Sequence, residues 1–335
     1  MIFAENDTDD VASFPIPNVE LNNGLKMPII GLGTSEFHLQ NGPTNTAELS
    51  KVRGAVEMAI DVGYRNIDTA FYYGNEGEIG EALKKKISEG VVKREYLFIN
   101  IQLWNTFHRP EHVLQGLKKS LKNLQLDFVD CFLVHMPVGF KFTDEDTKYP
   151  ADKDGKVLFD AVDHVEMWRE MEKAVDLGLA KSIGLSNFNQ KQIQHVLDSC
   201  RIKPAVLQIE THAYLMQNKL FAFCKANQIV VVAYAPLGSK GRGQVEGTPI
   251  LHDDPVVEDI ATRLDITSAQ VLLRYLVERG RCVIPKSTFK PHLQNNLEIF
   301  SFALSEDDLG RLDQLDRNVR YFPFEQLRGS PEYPF

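Results

Sequence analysis

Short apolar runs alternate with helix-period stretches along this chain. After a polar start, VELNN, a turn at Gly24 and LKMPII read as a short hairpin. IIGLGT then reads as a strand, followed by a helical pattern around residues 48–62. NIDTA precedes a helix over about 76–89. LFINIQL precedes one over 110–124, with Pro110 where a helix start tolerates it. FVDCFLVH leads into a long insertion and then a helix over 162–177. KSIGLSN precedes 190–200, and AVLQIE precedes 218–226. IVVVAYAP precedes a glycine-rich loop and helices across 256–279, and CVIP precedes 291–300. The strands are mostly continuous apolar runs, as expected where both faces are covered. Eight successive strand–helix units predict an α/β chain of the (β/α)8 TIM-barrel class, with an N-terminal β-hairpin and a long C-terminal loop. An open doubly wound sheet is disfavoured, because no GxGxxG lies between the first strand and its helix. The expected division is a polar tail over 1–18 and a single barrel domain over 19–335. In such barrels the active site lies at the C-terminal ends of the strands.

Composition narrows the function. With 335 residues and 43% hydrophobic content, the chain can bury a large core without disulfide staples. Its four cysteines show no CxxC spacing and read as free thiols. The formal net charge is −9 and no basic stripe stands out, which argues against nucleic acid as a partner. An anionic ligand would need local Lys and Arg side chains and helix N-termini. No apolar run approaches the ~20 residues of a membrane span, and the N-terminus reads as no signal peptide. A cytoplasmic location is the expectation. The Asn6-Asp7-Thr8 triplet matches a glycosylation acceptor, a pattern common by chance. His108 and His112 have i, i+4 spacing, but Pro110 interrupts them and no carboxylate cluster accompanies them, so no metal site is expected.

The strand ends carry the candidate chemistry. GYRNIDTAFYYGNE holds Asp68 and Tyr73, LVHMP holds His135, and GLSNFN holds Ser186 and Asn187. QIETH holds Gln208 and Glu210, AYAPLGS holds Tyr234, and IPKS holds Lys286 and Ser287. Each has an ordinary explanation: a core histidine, a helix cap, a packing tyrosine, a solvated lysine. Together they converge on the functional end of one barrel. These ordered motifs resemble the aldo-keto reductase superfamily, in its aldose-reductase-like form, from Leu21 to the terminal Tyr-Pro-Phe. The MPVGFKF segment suggests an arthropod branch.

The resemblance implies NADPH-dependent reduction of a small-molecule aldehyde or ketone by a monomer. Tyr73 would donate the proton and His135 would orient the carbonyl, since an acid and a donor within ~3 Å stabilise the developing oxyanion. Tyr234 would stack on the nicotinamide, and Ser186, Asn187 and Gln208 would hold its carboxamide. Gly33, Thr34 and Asp68 would make further cofactor contacts. Leu237, Ser239 and the loop over 240–247 would cover the pyrophosphate. Lys286 and Ser287 would contact the 2′-phosphate and Asn296 the adenine. His292 stands where the family often has arginine, which weakens phosphate discrimination and keeps NADH open. Ser35 and Met136 stand where the family often has indoles. With Trp104, Tyr149, Phe140 and the aromatics of 321–324, they imply a wide pocket for a bulky apolar carbonyl, such as a steroid-like ketone or lipid aldehyde.

Gln102 is the departure that matters most. The family carries lysine there, pairing with Asp68 and lowering the pKa of Tyr73. A unit charge at ~4 Å and an effective dielectric near 20 is worth ~4 kcal/mol, or about two to three pKa units. Glutamine offers two amide hydrogens instead. The expectation is one for Asp68 and one for the Tyr73 oxygen, with reduction weakened or restricted to certain substrates. The alternative is a catalytically impaired cofactor-binding protein with a sensor, structural or regulatory role.

Overall fold

FINIQL and VDCFLV are mostly apolar runs, and even their polar members Asn100, Gln102 and Asp130 are buried, so both faces of each strand are covered. In the computed structural model, which describes residues 16–35, 46–238 and 250–335, all six positions of each run are buried. The elements follow one another as β1 (Asn18–Glu20), β2 (Lys26–Pro28), β3 (Leu32–Gly33), α1 (Thr46–Val62), β4 (Asn66–Asp68), α2 (Glu76–Ser88), β5 (Phe98–Leu103), α3 (Pro110–Leu124) and β6 (Val129–Val134). Then come β7 (Gly139–Phe140), β8 (Phe159–Asp160), α4 (His164–Asp176), β9 (Ala180–Ser186), α5 (Gln190–Leu197), β10 (Val206–Glu210), α6 (Asn218–Ala226) and β11 (Val230–Tyr234). The chain ends through α7 (Pro255–Leu264), α8 (Ser268–Glu278), β12 (Cys282–Val283), α9 (Lys290–Leu297) and α10 (Glu306–Asp313).

One eight-stranded sheet runs in the order β3-β4-β5-β6-β9-β10-β11-β12, with parallel pairing throughout. Its two outer strands meet. Ile30 bridges Val283, Gly31 N–H donates to Val283 O at 2.9 Å, and Gly33 N–H donates to Pro285 O at 3.1 Å. That contact closes the expected barrel. A Cβ at Gly33 would lie 2.7 Å from Ile284 O, so glycine is needed at this seam. The β1–β2 hairpin caps the N-terminal end: Asn22 Nδ2 donates to Pro204 O, Asn23 Nδ2 to Lys181 O, and Asn66 Nδ2 to Pro28 O.

Local capping chemistry explains most shifts in element boundaries. The helix expected from 162 begins at His164, because the Asp163 side chain accepts from Val165 N–H as its N-cap. The helix expected over 190–200 ends at Leu197, and its start carries the Asn189/Gln192 capping box. The long insertion folds back as the β7–β8 hairpin, pairing Phe140 with Phe159. The segment expected as a C-terminal loop opens with α10, started by a Ser305/Asp308 capping box. Among the described residues, no helix is long and apolar enough to cross a membrane.

Candidate active site

The site begins at the end of β4. After Asp68 the chain tightens into a 3₁₀ turn over Phe71–Tyr73, closed by Gly74 in the left-handed region at φ 67°. Buried Asn75 fastens this turn to the neighbouring strand end: Nδ2 donates to Thr34 O at 2.8 Å, and Oδ1 accepts from Thr69 Oγ1 at 3.0 Å. Thr34 Oγ1 donates to Asp68 O at 2.8 Å. The turn places the Tyr73 ring edge-on to His135, centroids 5.8 Å apart.

Beneath this pair lies a buried network with no cation. Asp68 accepts from Gln208 Nε2 at 2.7 Å and from Gln102 Nε2 at 3.2 Å. Gln102 Nε2 also donates to Gln208 Oε1 at 3.0 Å, so its second hydrogen serves Gln208. Among the described residues, buried Gln102 Oε1 has no hydrogen-bond partner. Burial pushes the Asp68 carboxyl up to about 7, opposed by the amides of Gln208 and Gln102. Burial, then the charge of Asp68, holds the Tyr73 phenol above its ordinary value, with Ser35 and Gln102 acting weakly the other way. Burial pushes His135 down to about 3, so its ring is neutral at physiological pH, and its buried Nδ1 has no partner among the described residues.

The raised Asp68 carboxyl has a consequence for stability. An unfolded aspartate loses its proton near 3.8, the folded one near 7, so the folded state holds the extra proton between these values. Stability therefore falls as pH rises from about 4 to about 7 and levels off above. Asp68→Asn should remove this fall, so that wild type loses roughly 4 kcal/mol relative to the variant across the window. Urea unfolding at several pH values measures it. A difference independent of pH would refute the assignment.

The candidate cofactor residues divide into two groups. Ser186 and Asn187 are buried at the end of β9, and Gln208 is buried in the middle of β10. Asn187 sits at φ 63°, a strained setting for a non-glycine residue. Its Nδ2 donates to His135 O at 3.0 Å and to Ser186 Oγ at 3.2 Å, and its Oδ1 accepts from Tyr234 Oη at 2.8 Å. One amide thus joins His135 to the tyrosine at the end of β11. The second group follows β12. Lys286 is exposed, Ser287 is buried with its hydroxyl engaged by Phe289, and His292 is exposed on α9. Asn296 is buried and acts on the Tyr64 phenol. Leu237 is half-buried; Ser239 and the loop over 240–247 lie outside the described residues.

The aromatic wall has a member that sequence reading passed over. Tyr72 stacks on Trp104 at 4.2 Å, and Tyr149 packs edge-on to both rings. Trp104 donates from Nε1 to Lys148 O at 2.7 Å and is largely buried, and Phe140 packs against it. Met136 is packed into the core, whereas Ser35 lies beside the Tyr73 phenol. Phe322, from the C-terminal segment, sits edge-on to Tyr234 at 5.7 Å. The only sequence signal for Tyr72 was its place beside Tyr73 in FYY.

Comparison with known proteins converges on one family. A family model described as "Aldo/keto reductase family" matches residues 29–317. The chain is 44% identical to "Aldo-keto reductase family 1 member C18" of Rattus norvegicus, covering 96% of this chain and 98% of that protein. It is 42% identical to "Estradiol 17 beta-dehydrogenase 5" of Mus musculus, covering 95% and 97%. It is also 42% identical to "Rho crystallin" of Rana temporaria, covering 95% and 96%. Among solved structures it is similar to the aldose reductase from Schistosoma japonicum, at a TM-score of 0.86 and 44% identity over 95% of this chain and 98% of that one.

Proposed function

Since this chain belongs to the aldo/keto reductase family, whose members are oxidoreductases, we propose that it reduces aldehydes and ketones to alcohols with NADPH. The observation that carries the reading is the assembly of Asp68, held by Gln208, with Tyr73 and His135, His135 being tied in turn to the joined side chains of Asn187 and Tyr234. When bound, NADPH supplies the hydride. Ser186, Asn187 and Gln208 are three neutral hydrogen-bonding groups beside one phenol ring, a set that suits an aromatic ring bearing an uncharged carboxamide. Gly33 and Thr34, at the first barrel strand, lie between Asp68 and the segment after β12. Lys286, Ser287 and His292 would hold the 2′-phosphate, Asn296 the adenine, and Leu237 with Ser239 the pyrophosphate.

Tyr73 carries the proton. Burial and the neighbouring carboxyl keep its phenol protonated, and it donates to the carbonyl oxygen as negative charge develops there. Neutral His135 orients the carbonyl by hydrogen bonding. Gln102 supplies no charge to stabilise the tyrosinate left behind, which slows reduction and penalises alcohol oxidation more, since oxidation needs tyrosinate as its base. The wall of Tyr72, Trp104, Tyr149 and Phe140 favours a bulky apolar carbonyl such as a steroid-like ketone or lipid aldehyde. Similarity to a protein named for estradiol points the same way. The working unit in this reading is a monomer.

A second reading is a cofactor-binding protein that has lost catalysis. Gln102 and the similarity to a crystallin favour it. A turnover screen decides between the two, following cofactor absorbance with NADPH and NADH over small aldehydes, lipid aldehydes and steroid ketones. Reduction is expected, faster with NADPH. Quenching of tryptophan fluorescence by NADPH, without turnover on any carbonyl, would establish the second reading.

A further inference from the structure

Beyond α10 the described chain forms no further strand, yet its backbone donors are held in order by one short segment, from the last residue of β10 to Tyr214. Arg317 and Val319 N–H donate to Tyr214 O at 3.3 and 3.0 Å. Tyr321 N–H donates to Glu210 Oε1 at 2.6 Å, and Phe322 N–H donates to Glu210 Oε2 at 3.0 Å. Glu210 has no solvent exposure. Its Oε1 also lies 3.0 Å from His212 Nε2, and its Oε2 lies 3.7 Å from the Arg320 guanidinium. A further tie runs beside it: Gln217 Nε2 donates to Glu210 O at 2.6 Å, and Arg320 Nη2 donates to Gln217 Oε1 at 3.5 Å. The end of the chain folds onto the same strip, with Tyr333 Oη donating to Pro323 O and Arg320 lying over the Phe335 ring at 3.7 Å.

We propose that Glu210 is a positioning residue that clamps a strap at residues 320–322 over the mouth of the barrel and fixes the wall that Phe322 presents beside Tyr234. A buried carboxylate has no water to fall back on, so letting go of the two amides would leave its charge under-satisfied. The clamped arrangement is therefore strongly favoured. Glu210 lies two residues beyond Gln208 on the same strand, so both side chains leave the same face. Gln208 reaches Asp68, and Glu210 reaches the strap. One strand thus sets the register between the reacting end of the pocket and its outer wall. Phe322, almost fully buried and edge-on to Tyr234, transmits that register to the ring expected to face the nicotinamide.

The kinetic consequence rests on the carbonyl-reductase reading; the clamp itself does not. Glu210→Gln keeps the size of the side chain but turns one acceptor oxygen into a donor facing a backbone N–H. In the full-length chain without substrate, hydrogen exchange at the Tyr321 and Phe322 amides should accelerate at least about tenfold, while amides in β5 and β6 are unchanged. KM for bulky carbonyls should rise about tenfold, with kcat on a small aldehyde within about twofold of wild type. If Glu210→Gln does not accumulate folded, Glu210→Asp keeps the charge but retracts it by one methylene, and faster exchange at the same two amides is expected. Unchanged exchange in a folded variant overturns the clamp. Faster exchange with unchanged KM for bulky carbonyls overturns its role in positioning. A wild-type chain that turns over no carbonyl overturns the reductase reading instead, and the exchange comparison still decides the clamp.

Discussion

Tyr73→Phe should lower reduction of every carbonyl by about 10²- to 10⁴-fold, the usual worth of a positioned general acid. The ring would still pack edge-on to His135 and against Tyr72, so fold and cofactor affinity should be retained. His135 is no substitute donor. Burial holds its pKa at about 3, so the imidazolium that would deliver a proton readily is scarce at neutral pH. Steady-state turnover, with NADPH affinity from fluorescence quenching as control, makes the comparison. Activity within about tenfold of wild type would remove Tyr73 from its proposed role.

Gln102→Lys should raise turnover on generic aldehydes by at least about tenfold, a gain drawn from the ~4 kcal/mol of a unit charge at short range in a partly screened site. The replacement suits its surroundings. The amide nitrogen already lies 3.2 Å from Asp68 and 3.0 Å from Gln208 Oε1, both acceptors that an ammonium group would satisfy. It would also delete Gln102 Oε1, a buried acceptor with no partner among the described residues. The new charge should bring Asp68 well below its value of about 7 and lower the Tyr73 phenol, so alcohol oxidation should gain more than aldehyde reduction. No gain in either direction would sink the account of this network.

The fold was largely legible because its strands are unambiguous. FINIQL and VDCFLV are short, mostly apolar runs buried on both faces, and Pro110 marks a helix start that the structure keeps. The misplaced ends were decided by single side chains such as Asp163, whose cap starts α4 two residues later than its apolar pattern suggests. α10 was overlooked because its charged first turn resembles a loop, although the Ser305/Asp308 box was present in the sequence. At the site, Asp68 and Tyr73 lie in one motif, and barrel topology supplies His135. The bond from Gln102 to Gln208 was not legible, since 106 residues separate partners whose contact depends on how distant strands align. Nor was the task of Glu210, whose partners are backbone amides and leave no side-chain signature.

The glycine seam between the first and last barrel strands also bears on synthesis. Gly31 and Gly33 donate to Val283 and Pro285, and Val283 donates back to Ile29. Emerging from the ribosome, the nascent chain carries this edge unpaired until more than four-fifths of its length has been made. An open edge with free backbone donors is a template for other chains, and parallel pairing across such a span is slow to form. The same contact that completes the pocket therefore makes the ribosome-bound chain most exposed to misassembly just before the last strand arrives.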